Sequence, residues 1–121
     1  MIVVLFIPIS NLVFAQPMSS IMKCGLGSIV VKIPQHDYFL GGKIPIKIRY
    51  SPDTLVFITL KDPNGIITEH RKGITDHNGY LSAVLHFPKN GVTGYWFLDV
   101  SDSCINHDGN NILVQENHSK N

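Results

Sequence analysis

Cys104 and His107 are the two residues whose types and spacing come closest to a reactive site. The Cys-x-x-His spacing follows an aromatic segment, and a copper site on a β-sandwich can use such a pair. The site would also need an upstream histidine and a weak axial ligand, usually methionine. Several histidines lie upstream, but all three methionines precede the rest of the domain, and Gln115 is the conceivable substitute. A copper site at Cys104 and His107 is therefore one hypothesis for this chain.

Other polar clusters in the sequence predict turns more than catalysis. Asp76-His77-Asn78 and His36-Asp37 offer oxygen and nitrogen ligands, but the same residue types build tight turns through bonds to their own backbone. The sequence contains no G-x-S-x-G, H-E-x-x-H or glycine-rich phosphate motif. We therefore predict that the protein is not an enzyme and that it holds no cofactor.

The first 15 residues, MIVVLFIPISNLVFA, predict a secretory signal peptide. They carry no charge and end in a small-residue cleavage site at Ala15, with Gln16 as the mature start. The segment is short for a bilayer span and is interrupted by Pro8, although an uncleaved anchor or a first strand is the alternative. We predict a secreted or cell-surface protein with no stable membrane span after the leader is removed.

Export would place Cys24 and Cys104 in an oxidising compartment, where thiols pair. Two cysteines allow one intramolecular disulfide, and closing a loop of about 80 residues would stabilise the fold by about 4 kcal/mol in the chain-entropy model. A copper site would leave Cys24 unpaired, so the disulfide is the first prediction and the metal the alternative. Asn117 opens an Asn-His-Ser triplet and is a candidate N-glycosylation acceptor.

From Ser28 onward, apolar residues alternate with polar ones in short runs. Period-two alternation is typical of strands with one buried and one solvated face. The runs are 29–33, 44–50, 56–60, 66–70, 81–87, 96–100 and 112–115. They predict an all-β fold, a seven-stranded immunoglobulin-like β-sandwich over residues 28–116.

Turn residues separate these runs. Glycine, proline, asparagine and aspartate recur in the segments 41–42, 51–53, 62–65, 76–79, 88–91 and 106–111. At 121 residues the chain has room for one domain. We predict an N-terminal extension over 16–27, which carries Cys24, and a polar tail over 117–121.

Four segments carry motifs in a recognisable order. They are YFLGGKIPIKI at 38–48, VFITLKDPNG at 56–65, TDHNGY at 75–80 and GYW at 94–96. Together they resemble macroglobulin-like immunoglobulin-fold domains, as found in archaeal and bacterial secreted and cell-surface proteins. The resemblance implies a spacer, an adhesion unit or a docking surface. The chain departs from antibody domains because it lacks their Cys…Trp…Cys arrangement, with Trp96 in a late strand.

Tyr95-Trp96-Phe97 is an aromatic cluster, and its role depends on which face of the strand each side chain occupies. Alternation places Trp96 on one face of its strand and Tyr95 and Phe97 on the other. If Trp96 is buried, the other two could anchor a protein or a glycan; the alternative is that Tyr95 covers a corner and Phe97 lies under a loop.

Charge excludes one class of partner. Ten basic and nine acidic side chains nearly cancel, and no long run of either sign predicts a nucleic-acid surface. We therefore predict a non-enzymatic binding or structural module whose partner is an envelope or extracellular protein or a glycan.

Overall fold

The computed structural model describes residues 24–117. In chain order their strands are β1 (Val30–Lys32), β2 (Tyr38–Phe39), β3 (Lys43–Arg49), β4 (Leu55–Lys61), β5 (Ile67–Ile74), β6 (Tyr80–His86), β7 (Gly94–Ser101) and β8 (His107–Gln115). A three-stranded sheet has the order β1-β3-β6, and a five-stranded sheet has the order β2-β8-β7-β4-β5. The predicted leader over 1–15 lies outside the described residues, as do most of the extension and residues 118–121. No helix in the described part is long and apolar enough to cross a membrane.

The core lies between the two sheets and is built from the inward half of each alternating strand. In β3 every second side chain is buried, and in β7 Trp96, Leu98 and Val100 are fully buried. The Trp96 ring meets Phe87 edge to face at 5.2 Å, and its Nε1 donates to the carbonyl of Val92. Burial of this continuous apolar layer supplies the main driving force for a sandwich-like fold.

The prediction of seven strands was wrong, because residues 24–117 form eight. The added strand is β2, whose two residues are too few to show alternation and which pairs parallel with β8. The predicted turn at 106–111 was also wrong, since β8 already begins at His107. The inward positions there are polar: Asp108 Oδ2 accepts the backbone N–H of Val31 at 2.9 Å. A strand whose inward residues are polar cannot be recognised from alternating hydrophobicity.

Three loops between consecutive strands of residues 24–117 share one construction. An aspartate opens each loop, and its Oδ1 accepts the backbone N–H groups two and four residues later at 2.8–3.2 Å; the three are Asp62, Asp76 and Asp102. Gly79 in the second loop has φ +86°, and a Cβ there would lie 2.2 Å from the carbonyl oxygen of Tyr50. The repeated aspartates explain why the D-P-N-G and D-H-N-G segments predict turns correctly.

Side chains from the opposite sheet cover strand edges on both sides of the sandwich. On one side Glu69 accepts the backbone N–H of His86 at 2.8 Å, and Arg71 donates to the carbonyl of Val84. On the other side Asp108 caps β1. Edges covered in this way resist pairing with other chains.

Candidate binding surface

The outer face of the five-stranded sheet carries exposed aromatic and aliphatic side chains. Tyr95 is 65% exposed and lies directly opposite Leu113, which is 44% exposed, in the β7–β8 ladder. Because Trp96 is fully buried, alternation points both Tyr95 and Phe97 outward. We call Tyr95, Phe97 and Leu113 the aromatic patch.

A glycine fixes the orientation of Phe97. A Cβ on Gly109 of β8 would lie 2.6 Å from Phe97 Cζ, so the ring occupies the space that any other side chain would fill. Phe97 thus packs on the neighbouring strand of its own sheet and remains 36% exposed. Packing of this kind pre-orders an aromatic side chain, which lowers the entropy that binding would cost.

A surface hollow adjoins Phe97. It measures about 570 Å³, within the range of ligand sites, and its apolar lining includes Ile67, Phe97 and Ile105. Its polar lining is already hydrogen-bonded internally: His107 Nδ1 lies 3.2 Å from Asp99 Oδ1, and His70 Nδ1 lies 3.0 Å from Thr59 Oγ1. The hydrophobic pattern of the sequence did not single out Ile67, Ile105 or Leu113, because each is apolar at an outward or loop position.

The predicted disulfide is present in the structure, where Cys24 and Cys104 are bonded with their Cα atoms 5.8 Å apart. Cys104 and His107 both line the hollow, so the fold does bring the alternative copper pair to one place. The Cys104 sulfur is bonded to Cys24, however, and could act as a ligand only after reduction. Within residues 24–117, no group of three or more His, Cys, Asp or Glu side chains is placed to hold a metal ion.

The other two polar clusters that contain a histidine lie in exposed turns, where the histidine contacts a neighbouring aspartate. His77 Nδ1 lies 3.0 Å from Asp53 on the exposed side of the Asp76 loop, and His36 Nδ1 lies 2.9 Å from the carbonyl oxygen of Asp37. Asn117 is exposed and is the last described residue, and His118 and Ser119 of its triplet lie outside the described residues. Its glycosylation stays a prediction.

A buried polar network holds the loop that carries Cys104. Asp102 is 4% exposed; its Oδ2 accepts Tyr50 Oη at 2.6 Å and Asn106 Nδ2 at 3.0 Å. Burial alone would raise the pKa of Asp102, but hydrogen bonds from Tyr50, Asn106 and two backbone amides outweigh it and lower that pKa to about 2. Burial, with the neighbouring Asp102 carboxylate, raises the pKa of Tyr50 to about 12. The network therefore keeps a charged carboxylate and a neutral phenol beside the disulfide.

No protein-family model matches the sequence, and no curated protein matches it. Among solved structures, the chain is similar to a beta-glucosidase from Listeria innocua in complex with isofagomine, with a TM-score of 0.49, 12% identity and 75% of this chain covered. It is also similar to Spo0M, a sporulation control protein from Bacillus subtilis, with a TM-score of 0.45, 9% identity and 76% of this chain covered. The chain matches 16% of the glucosidase and 51% of Spo0M. The similarity concerns an all-β fold and assigns no family.

Proposed function

We propose that this chain is a non-enzymatic, secreted or cell-surface binding module, and that an extracellular protein docks on its aromatic patch. The observation that carries the proposal is the juxtaposition of Tyr95 and Leu113, which lie opposite each other and are 65% and 44% exposed. Exposed aromatics packed beside aliphatic side chains are typical anchors at the centres of protein interfaces.

The surroundings of the patch favour a protein partner over a small charged ligand. The apolar surface continues from Phe97 to Ile67 and Ile105, while Lys61 and Asp99 add charges of both signs beside it. An apolar centre with a mixed polar rim is the usual anatomy of a protein–protein interface.

Two features support an extracellular location. The segment 1–15 has the composition of a leader, and the disulfide between Cys24 and Cys104 is of a kind that persists in oxidising compartments.

The strand order supports a finer description of the fold. β1, β3 and β6 can be matched to strands A, B and E of an immunoglobulin domain, and β4, β7 and β8 to strands C, F and G. With the motifs at 38–48, 56–65, 75–80 and 94–96, this order supports membership of the macroglobulin-like immunoglobulin group as part of the proposal.

Site-specific photocrosslinking tests the proposed docking surface. A benzophenone amino acid replaces Tyr95 in one sample and Ile74, which is 61% exposed on β5, in the control. We expect position 95 to crosslink one protein from the medium or envelope of cells that express the chain. Once identified and purified, that protein should bind the wild-type chain directly.

A variant pair makes the test quantitative. Tyr95→Ser with Leu113→Ser should weaken binding of the purified partner at least about tenfold, the loss expected on removing two interface anchors. Ile74→Ser is the matched control, because Ile74 is 61% exposed on β5, two strands away from β7 in the same sheet. Equal crosslinking from position 74, or equal binding by the double variant and the wild-type chain, would refute the proposal.

A further inference from the structure

The outer face of the three-stranded sheet is strongly basic. Its outward side chains include Lys32 from β1 and Lys43, Lys47 and Arg49 from β3, all exposed. These are four of the ten basic residues of the chain, and the three strands contain no acidic residue. We call these four residues the basic face.

Three cations of the basic face lie close together and form no ion pair with a carboxylate among residues 24–117. Lys32 is directly opposite Lys47 in the β1–β3 ladder, and Arg49 follows on the same face about 7 Å along the strand. None of the ion pairs in residues 24–117 involves these side chains. The two carboxylates that reach the edges of this sheet, Glu69 and Asp108, are engaged with Arg71 and with the backbone.

Like charges directly opposite each other in a sheet are destabilising. The fold therefore keeps an unfavourable arrangement that its core does not require, since all four side chains point to solvent. An external anion would relieve the repulsion, so the arrangement is suited to a negatively charged ligand.

Two hollows meet along the line between Lys32 and Lys47. The first is lined by Lys32, Lys47, Arg49 and Tyr80, and Lys47 Nζ lies 5.3 Å from the centre of the Tyr80 ring. The second is a shallow groove of about 860 Å³ whose apolar lining includes Pro34, Pro45 and Val84. A cationic hollow thus opens directly onto an apolar groove.

Pro45 helps to keep the groove open. Pro45 pairs with Val84 of β6, but β1 pairs with β3 only from Lys47 to Arg49 and leaves the β3 edge uncovered at Pro45. Proline has no N–H to leave unpaired there, and it blocks ladder formation by an added strand. The groove is therefore better suited to a ligand that does not bind by strand addition.

We propose that the basic face binds an acidic polysaccharide. Carboxylates of the polysaccharide pair with Lys32, Lys47 and Arg49, and the C–H face of a sugar ring packs on Pro45 and Val84. Lys and Arg form charge-assisted hydrogen bonds with such groups, and the groove supplies the apolar contact that a simple polyanion would not use. The oxidising compartment indicated by the disulfide favours an extracellular polysaccharide over nucleic acid.

The test measures binding of the full chain to polygalacturonate at about 50 mM salt, where screening is weak. Poly-L-glutamate offers carboxylates without sugar rings, and duplex DNA and vesicles of phosphatidylglycerol with phosphatidylcholine offer phosphates. We expect polygalacturonate to bind at least about fivefold more tightly than each of these probes, and more weakly as salt rises. Equal or tighter binding of any other probe would overturn the proposal, as would no binding of polygalacturonate.

Matched charge variants locate the site. Lys32→Gln with Lys47→Gln should lower the affinity for polygalacturonate at least about tenfold. Its melting temperature should change little, because removal of the repulsive pair offsets loss of the Lys47–Tyr80 contact. Lys61→Gln with Lys72→Gln makes the same change in net charge on the five-stranded sheet and should alter affinity less than about twofold. Equal losses in both variants would show attraction by overall charge and would overturn the basic face as the site.

Discussion

The two outer faces of this sandwich are built by the same alternation but differ in how their polar groups are satisfied. On the five-stranded sheet, His107 pairs with Asp99 and His70 with Thr59, leaving apolar side chains as the exposed feature. On the three-stranded sheet, exposed cations lie side by side with no carboxylate partner among the described residues. The core constrains the inward residues of every strand, so the outward residues are free to carry separate functions. We therefore expect perturbations that affect one face and spare the other.

Removal of the disulfide should lower the stability of the fold more than any other change. It should also perturb the aromatic patch more than the basic face. Its loop spans 80 residues, so Cys24→Ser with Cys104→Ser should lower the free energy of unfolding by about 4 kcal/mol in the chain-entropy model. Because Cys104 lines the hollow beside Phe97, crosslinking from position 95 should fall while polygalacturonate binding by the folded fraction persists. Urea unfolding measures the stability change, and a loss below about 1 kcal/mol would contradict the expected role of the disulfide.

Asp102→Ala should have the next largest effect, because it removes the acceptor of the buried Tyr50 hydroxyl and one of the two acceptors of the half-buried Asn106 amide. We expect a loss of about 3 kcal/mol in urea unfolding, the upper range for hydrogen bonds to a charged group. Asp62→Ala is the matched control, since Asp62 makes the same two backbone contacts in an exposed loop. That variant should lose about 1 kcal/mol or less. Equal losses would show that the loop construction, and not the buried network, supplies the stability.

The same network predicts how stability depends on pH. The pKa of Asp102 is lowered from 3.8 to about 2 in the fold, so its contribution is complete above about pH 4 and is lost as pH falls toward 2. The pKa of Tyr50 is raised from 10 to about 12, so its contribution is complete below about pH 10 and is lost as pH rises toward 12. The free energy of unfolding should fall by about 1–2 kcal/mol over each of these two pH ranges, which we call the acid limb and the alkaline limb.

Urea midpoints measured from pH 2 to pH 12 check both limbs. Asp102→Asn should flatten most of the acid limb. A smaller acid dependence should remain, because backbone hydrogen bonds, chiefly from Tyr80, also lower the pKa of Asp76. An acid limb of unchanged size in Asp102→Asn would show that other carboxylates carry it.

The fold was largely predictable where side chains obey alternation. The period-two runs located β3, β4, β6 and β7 because their inward residues are apolar and their outward residues are mostly polar. They located the second half of β8 through the run 112–115 but missed its first half, where Asp108 faces inward to cap another strand. They also missed β2, which has two residues. The alternation of apolar and polar residues does not show which residues pair across the fold. A polar inward residue with a distant partner is therefore predicted as part of a turn.

The surfaces were less predictable than the fold. Tyr95 and Phe97 could be singled out because a strand presents alternate residues to one face. The basic face could not, because Lys32 lies 15 positions before Lys47 in the sequence and becomes its neighbour only through the β1–β3 register. A chain with balanced total charge can therefore carry a concentrated patch that no run of residues reveals.

Gly109→Ala should lower the stability of the fold by a smaller amount and should perturb the aromatic patch. The added Cβ would lie 2.6 Å from Phe97 Cζ, so the ring must rotate away from the sheet. A shift of this kind costs about 1 kcal/mol. We expect urea unfolding to show that loss and the affinity for the protein partner to fall, with polygalacturonate binding unchanged. A variant that keeps full stability and partner binding would show that Phe97 need not pack on Gly109.

Lys32→Glu should give the smallest change in stability, and its sign is opposite to the others. It replaces a directly opposed pair of lysines by an opposite-charge pair and leaves the Lys47–Tyr80 contact in place, so we expect a gain of about 0.5 kcal/mol. Lys43→Glu is the matched control, since Lys43 lies opposite His86 and has no lysine to repel. Lys32→Glu should also lose polygalacturonate binding, because the introduced carboxylate would repel the ligand and pair with Lys47. Increased stability together with lost binding would show that the basic face serves its ligand and lowers the stability of the fold. A loss of stability would show that the two lysines do not repel each other in solution.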